Sequence, residues 1–195
     1  VDGIMIVTPY YSKPSQHGIL RHFEEISKIT DLPIMAYNIP GRTSTLIELE
    51  TLQTLVVDIG IHSIKDAVGD FEFSKKQLEL LKDKADIYSG NDNQTYDFVI
   101  NGGAGVVSVA SHVVGDEISE MISFAKDNDL EKAEEINMQL SNLFEAIFEE
   151  PSPGPIKKIL SESWEEVGEP LLPITSITPE LANKIRGFYK KIKEN

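Results

Sequence analysis

Short apolar runs alternate with amphipathic stretches through the first half of the chain, and after residue 109 the apolar runs stop. Ile4-Met-Ile-Val-Thr8 is nearly uninterrupted, the pattern of a strand buried on both faces. Pro9-Tyr10-Tyr11-Ser-Lys-Pro14 breaks it. From Ser15 to Ile29 the apolar positions Ile19, Phe23, Ile26 and Ile29 fall three and four apart, which predicts a helix. Asp31-Leu-Pro33 ends that helix, Ile34–Asn38 reads as a second strand, and Pro40-Gly41-Arg42 as the loop after it. Leu49, Leu52, Leu55 and Val56 then mark a second helix face.

The cycle repeats with a strand over 61–65, a loop at 66–70 and a helix carrying Leu78 and Leu81. A strand over Asp86–Ser89 follows, then Gly90-Asn-Asp92, a helix over Thr95–Ile100, and a fifth strand over Gly105–Val109. Five short apolar strands alternating with helices predict βα units on a parallel sheet. Beyond them only helical periodicity remains, in Ile118, Met121, Ile122 and Ala125, and again from Ala133 to Ile147. Three prolines within 151–155 interrupt it, and Thr178-Pro179-Glu180 opens a last helix with a capping hydroxyl, a first-turn proline and an early acid. The expected organisation is α/β over 1–128 and a helical domain over 129–195.

Composition narrows the function. A net charge of −14 over 195 residues argues against nucleic acid and against an anionic membrane surface. The chain has no cysteine, which removes thiolate catalysis and cysteine-bound zinc. No Asp/Glu cluster has metal spacing, and the four histidines lack ligand spacing, so no catalytic metal is expected. No signal peptide and no bilayer-spanning apolar run is visible. The chain starts Val1-Asp-Gly, almost directly in a strand, as a piece of something longer would.

In parallel α/β folds sites form at the carboxyl ends of strands, and the unusual residues gather there. The first strand runs into Tyr10-Tyr11, the second ends in Tyr37-Asn38 with Arg42 beyond, the third ends in Lys65 and the fourth in Ser89-Gly90. A buried lysine loses its charge more readily, and the neutral amine attacks carbonyls to form an imine. A phenol can shuttle protons, and a guanidinium can clamp a carboxylate with two hydrogen bonds. Each residue also has a plainer reading. Taken alone, Lys65 reads more readily as a strand end reaching solvent and Tyr37 as a core tyrosine, while Arg42 reads equally well as an exposed turn residue and Gly90 has the alternative of a turn glycine.

Laid out in order, Val7-Thr-Pro-Tyr-Tyr11, Tyr37-Asn-Ile-Pro-Gly-Arg-Thr43, Ile64-Lys-Asp-Ala67, Tyr88-Ser-Gly-Asn-Asp92 and Gly105-Val-Val-Ser-Val109 make the sequence resemble the dihydrodipicolinate synthase family of the N-acetylneuraminate lyase superfamily. The resemblance runs over nearly the whole chain. It implies a (β/α)8 TIM barrel, of which this chain carries the last five βα units (strands four to eight), followed by a C-terminal helical domain. It implies class I, Schiff-base condensation of pyruvate with aspartate semialdehyde in lysine and diaminopimelate biosynthesis. By resemblance Lys65 is the imine-forming lysine, Tyr37 the proton-relay phenol and Tyr11 the tyrosine that crosses a tight dimer interface. Arg42 matches the arginine that receives the semialdehyde's carboxylate, Gly90 and Val107 match positions whose backbone nears substrate, and Tyr10 matches the aromatic beside an effector pocket. No cofactor is implied beyond the covalent imine. A cytoplasmic homotetramer built as a dimer of dimers is implied.

Members of that family begin with three further βα units, including a Gly-Thr-Thr segment whose hydroxyls bind the pyruvate carboxylate, and this chain has no counterpart to them. Five strands alone cannot close an eight-stranded barrel, so the 195 residues are expected to belong to a longer polypeptide or to lack useful activity by themselves. Ser152-Pro-Gly-Pro155 also departs from the family's more usual Asn-Pro-Ile-Pro. Two other readings stand beside the synthase. One is a pyruvate-dependent aldolase acting on a sialic or 2-keto-3-deoxy sugar acid, against which Arg42 counts. The other is a non-catalytic homologue or fragment.

Overall fold

The computed structural model describes residues 1–194. Strands β1 (Ile4–Val7), β2 (Ile34–Asn38), β3 (Ser63–Asp66), β4 (Asp86–Ser89) and β5 (Gly105–Val106) form one parallel sheet in strict chain order. Every crossover therefore steps the same way. The order never reverses, as it would in a doubly wound sheet, and this is the order a (β/α)8 barrel uses. The crossovers carry α1 (Gln16–Ser27), the single turn α2 (Pro40–Thr43), α3 (Leu49–Val57), α4 (Phe71–Leu80) and α5 (Thr95–Ile100).

Side chains alternate across each strand, so the sheet has two unlike faces. Ile34, Ala36, Ile64 and Ile87 are buried against Ile19, Phe23, Leu52, Leu55, Leu78 and Phe98 from the helices. The opposite face carries Met35, Tyr37, Ser63, Lys65 and Tyr88, all only partly buried, and Met5 at 49% exposure. Burial on both faces, expected for the first strand from its unbroken apolar run, does not hold there: Ile4 and Ile6 are partly buried on the helix side and Met5 is exposed on the other.

Three expected element boundaries change. The third strand, expected over 61–65 with Lys65 as its last residue, spans Ser63–Asp66, so Lys65 is its next-to-last residue. The fifth strand was expected over 105–109 but is two residues long, because Ser108 already serves the next helix: its Oγ accepts the Ser111 N–H at 2.8 Å. Helix α1 stops at Ser27, and Ile29, counted by spacing on its apolar face, is 82% exposed beyond the C-cap.

By contacts the chain divides into two compact units, Val1–Val107 and Ser108–Asn195. The sequence boundary at 128 lies one helix later. Helix α6 (Ser111–Lys126, kinked at Val114) falls in the second unit because it packs against α7 (Leu130–Ala146). This unit is completed by α8 (Gly154–Ser163) and α9 (Pro179–Lys193), with Met121, Leu140, Leu143, Phe144 and Ile185 buried. Prolines 151 and 153 stay outside α8 and Pro155 takes its first turn, where no backbone N–H is needed. Thr178 caps α9 through Leu181 N–H, as its sequence predicts.

The exposure contrast gives a stability test. Phe23→Ala should cost about 3–5 kcal/mol by emptying a fully enclosed aromatic site. Ile29→Ala should stay within about 0.5 kcal/mol of the parent. Urea midpoints of the two variants check both.

Candidate active site

The parallel register sets one row of side chains across the open face of the sheet. Val7 pairs with Tyr37, Tyr37 with Lys65, Lys65 with Tyr88, and Tyr88 with Gly105. This row lies at or next to the carboxyl ends of the strands, and it puts the candidate phenol and amine on neighbouring strands, on the same side. The Lys65 Nζ stands 4.2 Å from the centroid of the Tyr37 ring. Burial lowers the Lys65 pKa, partly opposed by the negative charge of Asp92, so its neutral amine is reached at lower pH than for a free lysine. Burial also raises the Tyr37 pKa, against which the Arg42 guanidinium acts, so the phenol keeps its proton.

The rim on which this row sits is knit tightly. The ladder continues past each strand end: Thr8 N–H donates to the Tyr37 carbonyl (3.1 Å), Ala67 N–H to Asn38 (2.9 Å), Gly90 N–H to Asp66 (2.6 Å) and Val107 N–H to Ser89 (2.9 Å). The Thr8 hydroxyl adds a second donor to the Tyr37 carbonyl. Asp66, next to Lys65 but turned to the helix side, accepts from Val68 N–H, Ser74 Oγ and Gln77 Nε2. Burial raises its carboxyl pKa, with a smaller push from the charge of Asp70, against the lowering by the Val68 and Ser74 hydrogen bonds. The network ties the end of β3 to α4.

Gly90 has a geometric role. A β-carbon there would lie 2.8 Å from Ala67 Cβ, 3.1 Å from the Asp66 carbonyl and 3.1 Å from Lys65 Cε. The bare backbone at 90 is what leaves the lysine side chain its path. Arg42, exposed on α2, borders a shallow, mostly apolar hollow of about 460 Å³ with Met5, Val7, Tyr10, Tyr37, Ile39 and Thr43. A larger hollow of about 1020 Å³ lies elsewhere, around Asp86 and Ala104 before β4 and β5, away from the lysine. In barrel folds that end of the sheet serves stability.

Lys65, Tyr37, Arg42 and Gly90 are thus brought together, and Val107, just past β5, ends the rim through its N–H to the Ser89 carbonyl. Tyr10 joins the hollow beside Arg42 but is itself 68% exposed. Tyr11 stands apart at 94% exposure with φ of 68°, outside the hollow that Tyr10 lines. Sequence reasoning passed over Tyr88 and Asp92. Strand alternation from Lys65's neighbours could have found Tyr88; the buried carboxylate of Asp92 had no signal beyond its place after Ser89-Gly90. Among the described residues no group of three or more His, Asp or Glu side chains could hold a metal ion, and no helix is long and apolar enough to cross a membrane.

A singly wound βα sheet with its reactive side chains on the carboxyl rim is the class of the (β/α)8 barrel proteins. Within that class, the dihydrodipicolinate synthetase family matches residues 1–192, and the chain belongs to that family. It is 36% identical over its whole length to the 4-hydroxy-tetrahydrodipicolinate synthase of Listeria monocytogenes serotype 4b (strain CLIP80459), of which it spans 66%. It is 42% identical over 180 residues to 4-hydroxy-tetrahydrodipicolinate synthase 1 of Halalkalibacterium halodurans, covering 92% of this chain and 61% of that protein. The solved dihydrodipicolinate synthase of Thermotoga maritima superposes with a TM-score of 0.95 at 32% identity, over 98% of this chain and 66% of that one. The chain therefore spans a little under two thirds of the length of these relatives.

Three outcomes test the geometry. The rate at which an amine-specific reagent modifies Lys65, followed by peptide mass, should reach half its maximum at a pH below the ordinary lysine range. Asp92→Asn should move that midpoint lower still, because it removes the charge that favours the ammonium form. Gly90→Ala, which drives a methyl group at Lys65 Cε, should slow modification of Lys65 by the same reagent by roughly tenfold.

Proposed function

We propose that the protein containing this chain is a 4-hydroxy-tetrahydrodipicolinate synthase that condenses pyruvate with aspartate semialdehyde through an imine on Lys65. The observation that carries this reading is the half-buried Lys65 amine, 4.2 Å from the Tyr37 ring on the carboxyl rim of the sheet. The neutral amine adds to the ketone carbon of pyruvate, and water leaves to give the imine. Loss of a methyl proton gives the enamine, whose carbon attacks the aldehyde carbon of the semialdehyde. The aldehyde oxygen takes up a proton and becomes the hydroxyl. The semialdehyde's amine then attacks the imine carbon, closes the ring and releases the Lys65 amine.

Tyr37, kept protonated by burial, is the proton donor and acceptor beside the amine. Arg42, on the same rim and close enough to act on Tyr37's titration, receives the carboxylate of the second substrate. The reaction runs on the protein's own amine without a cofactor, and we place it in the cytoplasm. Assembly as a dimer of dimers brings Tyr11 of one copy toward the relay of another; its 94% exposure in the single chain supports this. The sugar-acid aldolase reading gains nothing from the site, since a polyol would have to stand where Arg42 does.

Pyruvate and borohydride added to the complete gene product should give a mass increase of one reductively coupled pyruvate, located on the peptide holding Lys65. Lys65→Ala should give none. An equal adduct in the variant, or none in the parent, would remove the synthase reading.

A further inference from the structure

The segment that carries Arg42 leaves the sheet at Asn38 and rejoins the apolar core at Ile47, with Thr43 the one buried residue of the turn between them. Between them the single regular feature is the one turn of α2, closed by Ser44 in the left-handed region and by Thr43. The Thr43 hydroxyl shares its one proton between the carbonyl oxygens of Ile39 (3.1 Å) and Thr45 (2.9 Å). An arginine on a short excursion of this kind holds a fixed place only if the base of the excursion is tied down.

Two side-chain amides tie it. Asn38, fully buried, donates from Nδ2 to the Ile47 carbonyl and accepts the Ile47 N–H on Oδ1, both at 3.0 Å. Gln16, the first residue of α1, donates from Nε2 to the Leu46 carbonyl at 2.8 Å and accepts the Glu48 N–H on Oε1 at 3.1 Å. Four successive backbone groups, from Leu46 C=O to Glu48 N–H, are thus satisfied by two amides. Each amide supplies the donor–acceptor pair that a neighbouring strand would. Backbone groups of adjacent residues in an extended segment point to alternate sides, so the two amides grip it from opposite sides. Asn38 is also held through its own carbonyl by Ala67 N–H at 2.9 Å, and its register partner is Asp66, next to Lys65.

We infer that Asn38 and Gln16 are positioning residues for Arg42: a double amide clamp that fixes the arginine segment against the strand end bearing the lysine. The inference rests on the proposed role of Arg42 as the receiver of the semialdehyde's carboxylate. The clamp touches neither substrate. It sets where the guanidinium stands, and so bears on the second substrate and not on imine formation.

Asn38→Ala leaves two buried backbone groups unpaired and risks unfolding, so the deciding variant is Gln16→Ala, at the partly exposed start of a helix. Steady-state kinetics and borohydride trapping are measured on the complete gene product carrying Gln16→Ala, with Arg42→Ala as reference. Gln16→Ala should raise KM for aspartate semialdehyde by roughly threefold to tenfold, the equivalent of one or two lost hydrogen bonds. Its kcat and its rate of pyruvate trapping should stay at the parent's values. An unchanged KM in Gln16→Ala beside a raised KM in Arg42→Ala overturns the clamp and leaves the proposed reaction standing. Slower trapping together with the raised KM also overturns it, since that is general loosening of the fold. An unchanged KM in Arg42→Ala removes the reading of Arg42 and the clamp with it.

Discussion

The site depends first on the register of a parallel sheet. With strands paired residue to residue, alternation leaves every second side chain of each strand on one face, and the pairing aligns those side chains into rows. Tyr37 and Lys65 meet because they are register partners, and Tyr88 extends the row beyond them. A slip of one residue in β3 would turn Lys65 toward the helices and put Asp66 or Ile64 in its place. The apolar partners on the helix side forbid that slip: Ile64 is fully enclosed, and the sheet cannot exchange it for an ammonium group without burying an unpaired charge. Packing on one face thereby fixes chemistry on the other.

That division of labour shows in where polar residues are buried. Asn38, Asp66, Ser89 and Asp92 are almost fully enclosed, and all lie at the carboxyl ends of strands or in the loops directly after them. The first three bond to loop backbone: Asn38 to Ile47, Asp66 to Val68, and Ser89 to Asn91. A buried polar group costs stability unless paired, so a loop start that offers its N–H or C=O to such a group is locked in one geometry. The lysine itself is treated differently. It is left half-buried beside an aromatic ring, where desolvation lowers its pKa and Asp92 restores part of the charge. An amine in this position gives up its proton more readily than a solvated one.

Some of this was legible in the residue pattern and some was not. Strands β2 and β4 and helix α5 fall where their apolar periodicity puts them, because each is flanked by strong breakers such as Pro33, Pro40 and the glycines at 90, 102 and 103. The fifth strand is shorter than its apolar run, since Val107–Val109 has the composition of a strand while a serine-closed turn claims Ser108 for α6. Ile29 has the right spacing for the α1 core face but comes after the helix has ended. Periodicity reports a residue's angle around a helix axis and says nothing of whether the helix is still there.

The order of the βα units, the place of Lys65 near a strand end, and the family to which the chain belongs could all be read along the chain. Those features follow from local periodicity and from the order of short motifs. Tertiary structure alone decided that Tyr37 lies beside Lys65, that the glycine at 90 clears its path, and that Asp92 is a buried charge acting on it. It also decided that Asn38 and Gln16, 22 positions apart in the sequence, grip one short segment, Asn38 at Ile47 and Gln16 at Leu46 and Glu48 on either side of it. These are relations between strands and across loops. They arise from register and from the satisfaction of buried backbone groups, which only the folded chain brings together.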